Sequence, residues 1–219
     1  MCGRFTLHTL PDVLQEHFGV DEMPAMQASY NIAPSQEIAT VRMSGARRHM
    51  ALLRWGLVPS WAKELKAGYS MINARAETVA DKPAYRTAFR LRRCLVPADG
   101  FYEWRQTGDG KQPYHIRMKN GGVFAFAGIW ERREGDDGIL ESCSSIVTAA
   151  NDTIRPVHDR MPVIIAPRDY AAWLDPGLRD PGKVKDYLRS WPADEMETYP
   201  VSTRVNRPAN NDARCIESL

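Results

Sequence analysis

Four residues scattered along this 219-residue chain have side chains that could share one chemistry: Cys2, Asn73, Glu103 and His158. Cys2 directly follows the initiator methionine, so removal of Met1 would leave a free α-amine and a thiol on adjacent carbons, a pairing no internal cysteine offers. An α-amine titrates near about 7.7 to 8.0, well below lysine at about 10.4, and part of it is therefore an unprotonated nucleophile at neutral pH. An aldehyde meeting this aminothiol forms a Schiff base with nitrogen and then closes through sulfur into a five-membered thiazolidine. Proton carriers are needed for such a sequence of steps. Glu103 stands between Tyr102 and Trp104, where burial would raise its pKa and suit it to proton transfer. Of the five histidines, only His158 is followed by both a carboxylate and a guanidinium, in His158-Asp159-Arg160-Met161-Pro162. Asn73, Arg75 and Glu77 fall on one face if their segment is extended.

The elements that must position these residues are mostly strands. Short β-prone runs at Ile38–Arg42, His49–Arg54, Tyr114–Met118, Val123–Trp130, Ser144–Thr148 and Val163–Ile165 are separated by Gly, Pro, Asn and Asp. The segments at 107–111 and 134–138 read as hairpin turns. Thr9-Leu10-Pro11-Asp12 opens a short amphipathic helix that ends at Gly19, and further helices are expected at Arg168–Leu174 and Val184–Trp191. Residues 1–219 therefore read as a single β-rich α+β domain with a few flanking helices, and the polar residues of interest are expected on its loops. The four cysteines form neither a zinc signature nor a disulfide framework, so neither metal nor cofactor is expected and a reducing compartment fits. No apolar run approaches the roughly 20 residues of a membrane span, and residues 1–20 lack the pattern of a secretory leader. A cytoplasmic monomer is the expectation.

Net charge is +2, but it is unevenly spread. Residues 41–93 hold twelve Lys and Arg against three acids, a local +9, which leaves −7 for the remainder. Trp55 and Trp61 lie in the same stretch, and arginines interleaved with aromatics are what single-stranded nucleic acid stacks on.

Taken together, Cys2-Gly3-Arg4-Phe5, Tyr30-Asn31-Ile32-Ala33-Pro34, Trp55–Trp61, Ile72–Thr78, Pro97–Trp104 and His158–Pro162 resemble, in order, the motifs of the SRAP (SOS-response-associated peptidase) family, over residues 2 to about 205. The resemblance implies an SRAP-like fold of curved mixed sheets or a barrel-like core. It also implies a function: shielding abasic sites in single-stranded DNA through a covalent DNA–protein crosslink at Cys2, with removal of Met1 by the protein itself as a further activity. In that role Glu103 shuttles protons, His158 protonates the ring oxygen of the sugar as it opens, and Asn73 holds the Cys2 amine or the sugar through an uncharged amide. Gly3 leaves room for the nucleotide to approach. Arg4, Arg75 and Arg160 are the implied phosphate clamps and Trp61 the stacking platform, with DNA contacts independent of base sequence. Family members often carry two tryptophans where this chain reads Trp61-Ala62, and Lys82 occupies the region of another basic family position.

Two other functions use the same residues. A cysteine peptidase would pair Cys2 with His158 and require an oxyanion hole that the sequence does not reveal. A non-covalent reader of damaged or modified DNA would need the basic stretch and tryptophans but not Cys2.

Overall fold

The computed structural model describes residues 2–62, 64, 68, 70–108, 110–135 and 138–219. Five long strands close on themselves. They are β3 (Glu37–Ser44), β4 (Arg47–Trp55), β6 (Arg93–Ala98), β9 (Phe124–Gly135) and β10 (Gly138–Ala149). Antiparallel pairings run from β4 through β3, β6 and β9 to β10, and a parallel pairing of β10 with β4 completes the ring. Against this barrel lies a five-stranded sheet in the order β13 (Met196–Pro200), β8 (Gly110–Met118), β7 (Gly100–Thr107), β1 (Phe5–Leu7) and β2 (Ser29–Ile32). The expected α+β barrel-like core is present.

Aromatic side chains join sheet to barrel. Phe5 packs edge-on against Trp55 at 5.1 Å and Phe126 at 5.7 Å between ring centroids, and all three are buried. Each such pair contributes about 0.5–1.5 kcal/mol beyond the area it buries. The consequence is positional, because β1 is locked to the barrel three residues after Cys2. At its other end, buried Asp99 accepts bonds from Thr6 Oγ1 and from the His8 and Thr9 amides, which closes the corner between β1 and β7. Gly100 at that corner has no room for a side chain, since a Cβ there would lie 2.2 Å from His115 Nε2.

The first helix, α1 (Pro11–Phe18), matches expectation, with Pro11 in its first turn and Gly19 left-handed at its end. The strands on either side of both expected turns pair, β7 with β8 and β9 with β10, while Asp109, Asp136 and Asp137 within the turns lie outside the described residues. The expected strand at 163–165 is the short β12 (Ile164–Ile165), paired with β9, and the helix expected after it forms as α3 (Tyr170–Leu174). Three differences follow from local chemistry that periodicity does not capture. The expected helix over 184–191 instead forms as α4 (Pro181–Lys185), because Asp180 accepts the Gly182 and Lys183 amides and starts it earlier. Helix α2 (Arg86–Leu91) and strand β6 have no counterpart among the expected elements; β6 contains Pro97, which ordinarily argues against a strand. The loops expected to carry Asn73 and Glu103 are strands, β5 (Asn73–Arg75) and β7.

Much of the basic stretch is consumed inside the fold. Arg42 forks onto Glu141 and lies over Trp130, Arg48 donates to the Phe18 carbonyl, and Arg92 pairs with Glu131. Arg93 is buried and donates to the main-chain carbonyls of Phe89, Trp173 and Asp175. Lys63 and Lys66 lie outside the described residues, as does Met1.

Candidate functional site

Strand register brings the N-terminus to Glu103. Phe5 lies opposite Phe101 and the Tyr102 amide donates to the Arg4 carbonyl at 3.0 Å, so the antiparallel ladder carried outward sets residues 2 and 3 beside Glu103. Successive strand residues point to opposite faces, so Glu103 is not sandwiched by its neighbours Tyr102 and Trp104 as their adjacency suggests. It is buried in the seam between the two sheets, at 2% exposure.

The far half of β10 supplies the other two residues. It leaves the barrel flanked by β5, in which Asn73 pairs with Ser145, and by β11 (Arg160–Pro162), in which Arg160 pairs with Ala149. His158 sits at the end of a helical turn before β11. Buried Asn151 starts that turn by accepting the Ile154 amide, and the His158 amide closes it on the Ile154 carbonyl.

All four residues picked from the sequence meet here. The Asn73 side-chain amide donates to the Cys2 carbonyl at 2.7 Å, while Asn73 Oδ1 is buried with no partner among the described residues. His158 Nε2 lies 3.9 Å from Glu103 Oε2. His158 Nδ1 accepts the Arg160 amide at 3.0 Å, so the neutral ring carries its proton on Nε2, toward Glu103. Asp159 also approaches Nδ1, at 3.0 Å, and steadies the ring when it is charged.

Burial sets the proton affinities. It pushes the Glu103 carboxyl up to about 7, helped by the nearby charge of Asp159. The same effect pushes His158 below its ordinary value, which favours the neutral imidazole at pH 7. Burial, reinforced by the charge on Glu103, drives the Cys2 thiol far upward, and its S–H is directed at the Arg4 carbonyl 3.6 Å away.

The implied DNA contacts are placed less uniformly. Arg75 is exposed at the end of β5 and its charge reaches Glu77, which forms an ion pair with Arg160. Burial alone would raise the Glu77 carboxyl, but the Arg160 hydrogen bond, a backbone hydrogen bond and the charges of Arg160 and Arg75 together outweigh it and hold Glu77 low. Trp61 is 69% exposed, beside an Ala62 whose carbonyl is held by buried Arg133. Lys82 is exposed in the turn before α2. Arg4 is half-buried and turned inward, donating to Asn31 Oδ1 at 3.0 Å and to the Val205 carbonyl at 2.8 Å.

Three residues near the site have no role from sequence. Trp104, Lys111 and Asn206 line, with Glu103 and His158, a cleft of about 400 Å³. Asn206 comes from a segment more than 100 positions away in the chain, and no spacing rule connects it to Glu103. Among the described residues no group of His, Cys, Asp and Glu could hold a metal ion, and no helix is long and apolar enough to cross a membrane.

The SOS response associated peptidase (SRAP) family model matches residues 1–208. The chain is 44% identical over 223 residues to the abasic site processing protein YoqW of Bacillus subtilis, covering all of both chains. It is 33% identical to the abasic site processing protein HMCES of Xenopus tropicalis, covering all of this chain and 78% of the relative. A crystal structure of a Bacteroides thetaiotaomicron protein superimposes with a TM-score of 0.90 over the full length of both chains at 24% identity, which establishes the shared fold. A phage-related protein of Bordetella bronchiseptica superimposes at 0.70 with 29% identity, over 91% of this chain and 94% of that one.

Proposed function

The chain belongs to the SRAP family, and from that premise we propose that it processes abasic sites in single-stranded DNA by joining them covalently to Cys2. The observation that carries this reading is the convergence of Asn73, Glu103 and His158 on the residue that becomes the N-terminus once Met1 is removed. The reactive form of the lesion is the ring-opened sugar, whose C1′ is an aldehyde.

Each step has a group suited to it. The Nε2–H of His158 faces the seam and stabilises the sugar's ring oxygen as it leaves C1′. The Cys2 amine adds to C1′ and gives a carbinolamine, with Asn73 Oδ1 available as an acceptor for an amine proton. Glu103, protonated in a large fraction at pH 7, donates its proton to the carbinolamine hydroxyl, which departs as water and leaves an iminium whose nitrogen keeps its proton. Glu103 is then a carboxylate. It takes the proton from the Cys2 thiol as sulfur adds to C1′, the C=N electron pair moves onto nitrogen to give the neutral ring amine, and Glu103 is protonated again. The product is a thiazolidine, and the net change is loss of one water. A carboxyl near pKa 7 is matched to this double duty because both protonation states are populated.

Arg75 and Arg160 are proposed to bind phosphate on the exposed rim, with Arg4 at the inner edge, Lys82 farther along and Trp61 stacking on a neighbouring base. Peptide cleavage by Cys2 is a weaker reading. A thiol nucleophile of that kind needs a lowered pKa or a base hydrogen-bonded to sulfur, whereas the Cys2 thiol is pushed upward and its S–H points at a carbonyl.

The test is a denaturing gel of the purified protein after incubation with single-stranded DNA carrying one abasic site. A heat-stable shifted band that disappears in Cys2→Ala is expected. Salt-sensitive binding without a covalent band would leave only a reader of DNA, and peptide cleavage without a band would favour the peptidase.

A further inference from the structure

The chemistry at Cys2 uses one wall of the cleft above Glu103 and His158, and leaves the other unexplained. That second wall consists of Trp104, Lys111 and Asn206. Asn206 is exposed, yet the chain around it is tightly held. Buried Asn31, 1% exposed, turns its amide to the carbonyls of Val205 at 3.1 Å, Arg207 at 3.1 Å and Asn210 at 2.8 Å. Arg4 adds a second bond to Val205 and reaches the Asn206 carbonyl at 3.5 Å. From the other side, Asn211 Oδ1 accepts the Tyr30 amide at 2.6 Å. The C-terminal segment is thus tied to β1 and β2, the strands that position Cys2, on both sides of Asn206.

The side chain of Asn206 is oriented as well. Trp104 Nε1 donates to its Oδ1 at 2.8 Å, so the acceptor end is occupied and the NH₂ end is left to donate. Lys111, from the start of β8, is exposed, forms no ion pair among the described residues, and lies close enough to depress the proton affinity of His158. An immobilised amide donor and an unneutralised ammonium facing one cleft form a site for an anion. The bond from Trp104 excludes the alternative amide orientation, in which Asn206 would present an acceptor.

We propose that Asn206 Nδ2 and Lys111 Nζ together seat the phosphodiester that adjoins the abasic sugar, so that the C-terminal segment is part of the DNA-binding site. This rests on the reading of the site as a binder of abasic DNA. Side-chain amides and lysines are among the usual donors to phosphate, and such contacts set the register of a strand without reading its sequence. A phosphate seated here would hold the C1′ carbon over the seam between Cys2 and Glu103. Its negative charge would also favour the protonated form of Glu103, the form that donates to the carbinolamine hydroxyl.

Binding is measured with a single-stranded oligonucleotide carrying the tetrahydrofuran analogue, which has no aldehyde. Each of the two flanking phosphodiesters is replaced in turn by an uncharged methylphosphonate. The wild-type protein is expected to lose about tenfold in affinity at one flank, as befits a charge-assisted contact. Lys111→Ala and Asn206→Asp are each expected to lose about tenfold on the natural backbone and less than about twofold more at that same flank. The salt dependence of Lys111→Ala should be shallower by about 0.7, one single-strand phosphate. Trp104→Phe, which keeps the ring and loses the donor, covers the case in which Asn206→Asp fails to fold, and is expected to show the same loss of sensitivity. Variants that respond to the methylphosphonate as strongly as the wild type overturn the seat. A wild-type protein that forms no crosslink with a natural abasic site overturns the underlying reading instead, so the two failures are separable.

Discussion

Asn73 holds Cys2 by its main-chain carbonyl, at 2.7 Å, and not by its sulfur. Cys2 is therefore oriented through its backbone, which leaves its thiol unengaged by Asn73, as the proposed chemistry requires. Tyr85 reaches the Asn73 carbonyl at 3.4 Å and β10 pairs with it, so the holder is itself held.

Asn73→Asp replaces that donor with an oxygen facing the Cys2 carbonyl. Crosslink formation is expected to slow by roughly 10²-fold, the usual cost of misplacing a reacting group by about an ångström. Affinity for the tetrahydrofuran analogue should change less than about threefold. A crosslinking rate within about threefold of wild type would show that the bond does not orient Cys2.

Glu103 couples stability to pH. Its carboxyl binds a proton near pH 7 when folded but near the ordinary carboxylate value when unfolded, so it favours the folded state at low pH. That contribution is lost as pH rises through about 7. Glu103→Gln, which cannot ionise, should remove the loss. Between about pH 5 and pH 8 the wild type should fall in stability relative to Glu103→Gln by on the order of 2–3 kcal/mol, measured by urea unfolding at each pH. Parallel stability curves would mean that Glu103 is not buried as described. Crosslinking by the variant should drop about 10²-fold or more at pH 7.

His158 can be divided into its two nitrogens. Asn at 158 can accept the Arg160 amide as Nδ1 does but has nothing at the Nε2 position, whereas Gln can reach toward Glu103. His158→Asn should keep the turn and slow crosslinking by about 10²- to 10³-fold, and His158→Gln should retain the larger residual rate. Equal rates in the two variants would argue against a role for Nε2.

Asn31 is the buried tie between β2 and the C-terminal segment. Asn31→Ala removes a donor from three carbonyls and an acceptor from Arg4, and should cost about 2–4 kcal/mol in urea unfolding. Limited proteolysis should show new cleavage between residues 203 and 211. Resistance equal to wild type would mean that other contacts hold the segment.

Arg160 makes a partly exposed ion pair with Glu77, and such pairs contribute little to folding. Arg160→Ala should therefore change stability by less than about 1 kcal/mol while weakening single-stranded DNA binding by about tenfold in a fluorescence titration. Undiminished affinity would place the phosphate path elsewhere.

The residue types at Cys2, Asn73, Glu103 and His158, together with the motifs around them, carry the chemistry on their own, because an aminothiol, an acid, an imidazole and an amide are each defined by covalent structure. Local chain chemistry is equally legible where one or two residues dictate the backbone, as in Pro11 and Gly19 around α1. The barrel's closure is not, because the parallel pairing of β4 with β10 joins segments about 90 residues apart and leaves no local signal. Nor is the fate of the basic stretch, since Arg42, Arg92 and Arg93 find their acceptors only when distant strands and helices come together. Proton affinity is the sharpest case. A glutamate's identity is written in the chain, but its pKa depends on how much water remains around it, and that is set by the packing of two sheets over Glu103. The same assembly places Asn206 beside it, because tertiary contacts, unlike spacing, join residues without regard to their distance along the chain.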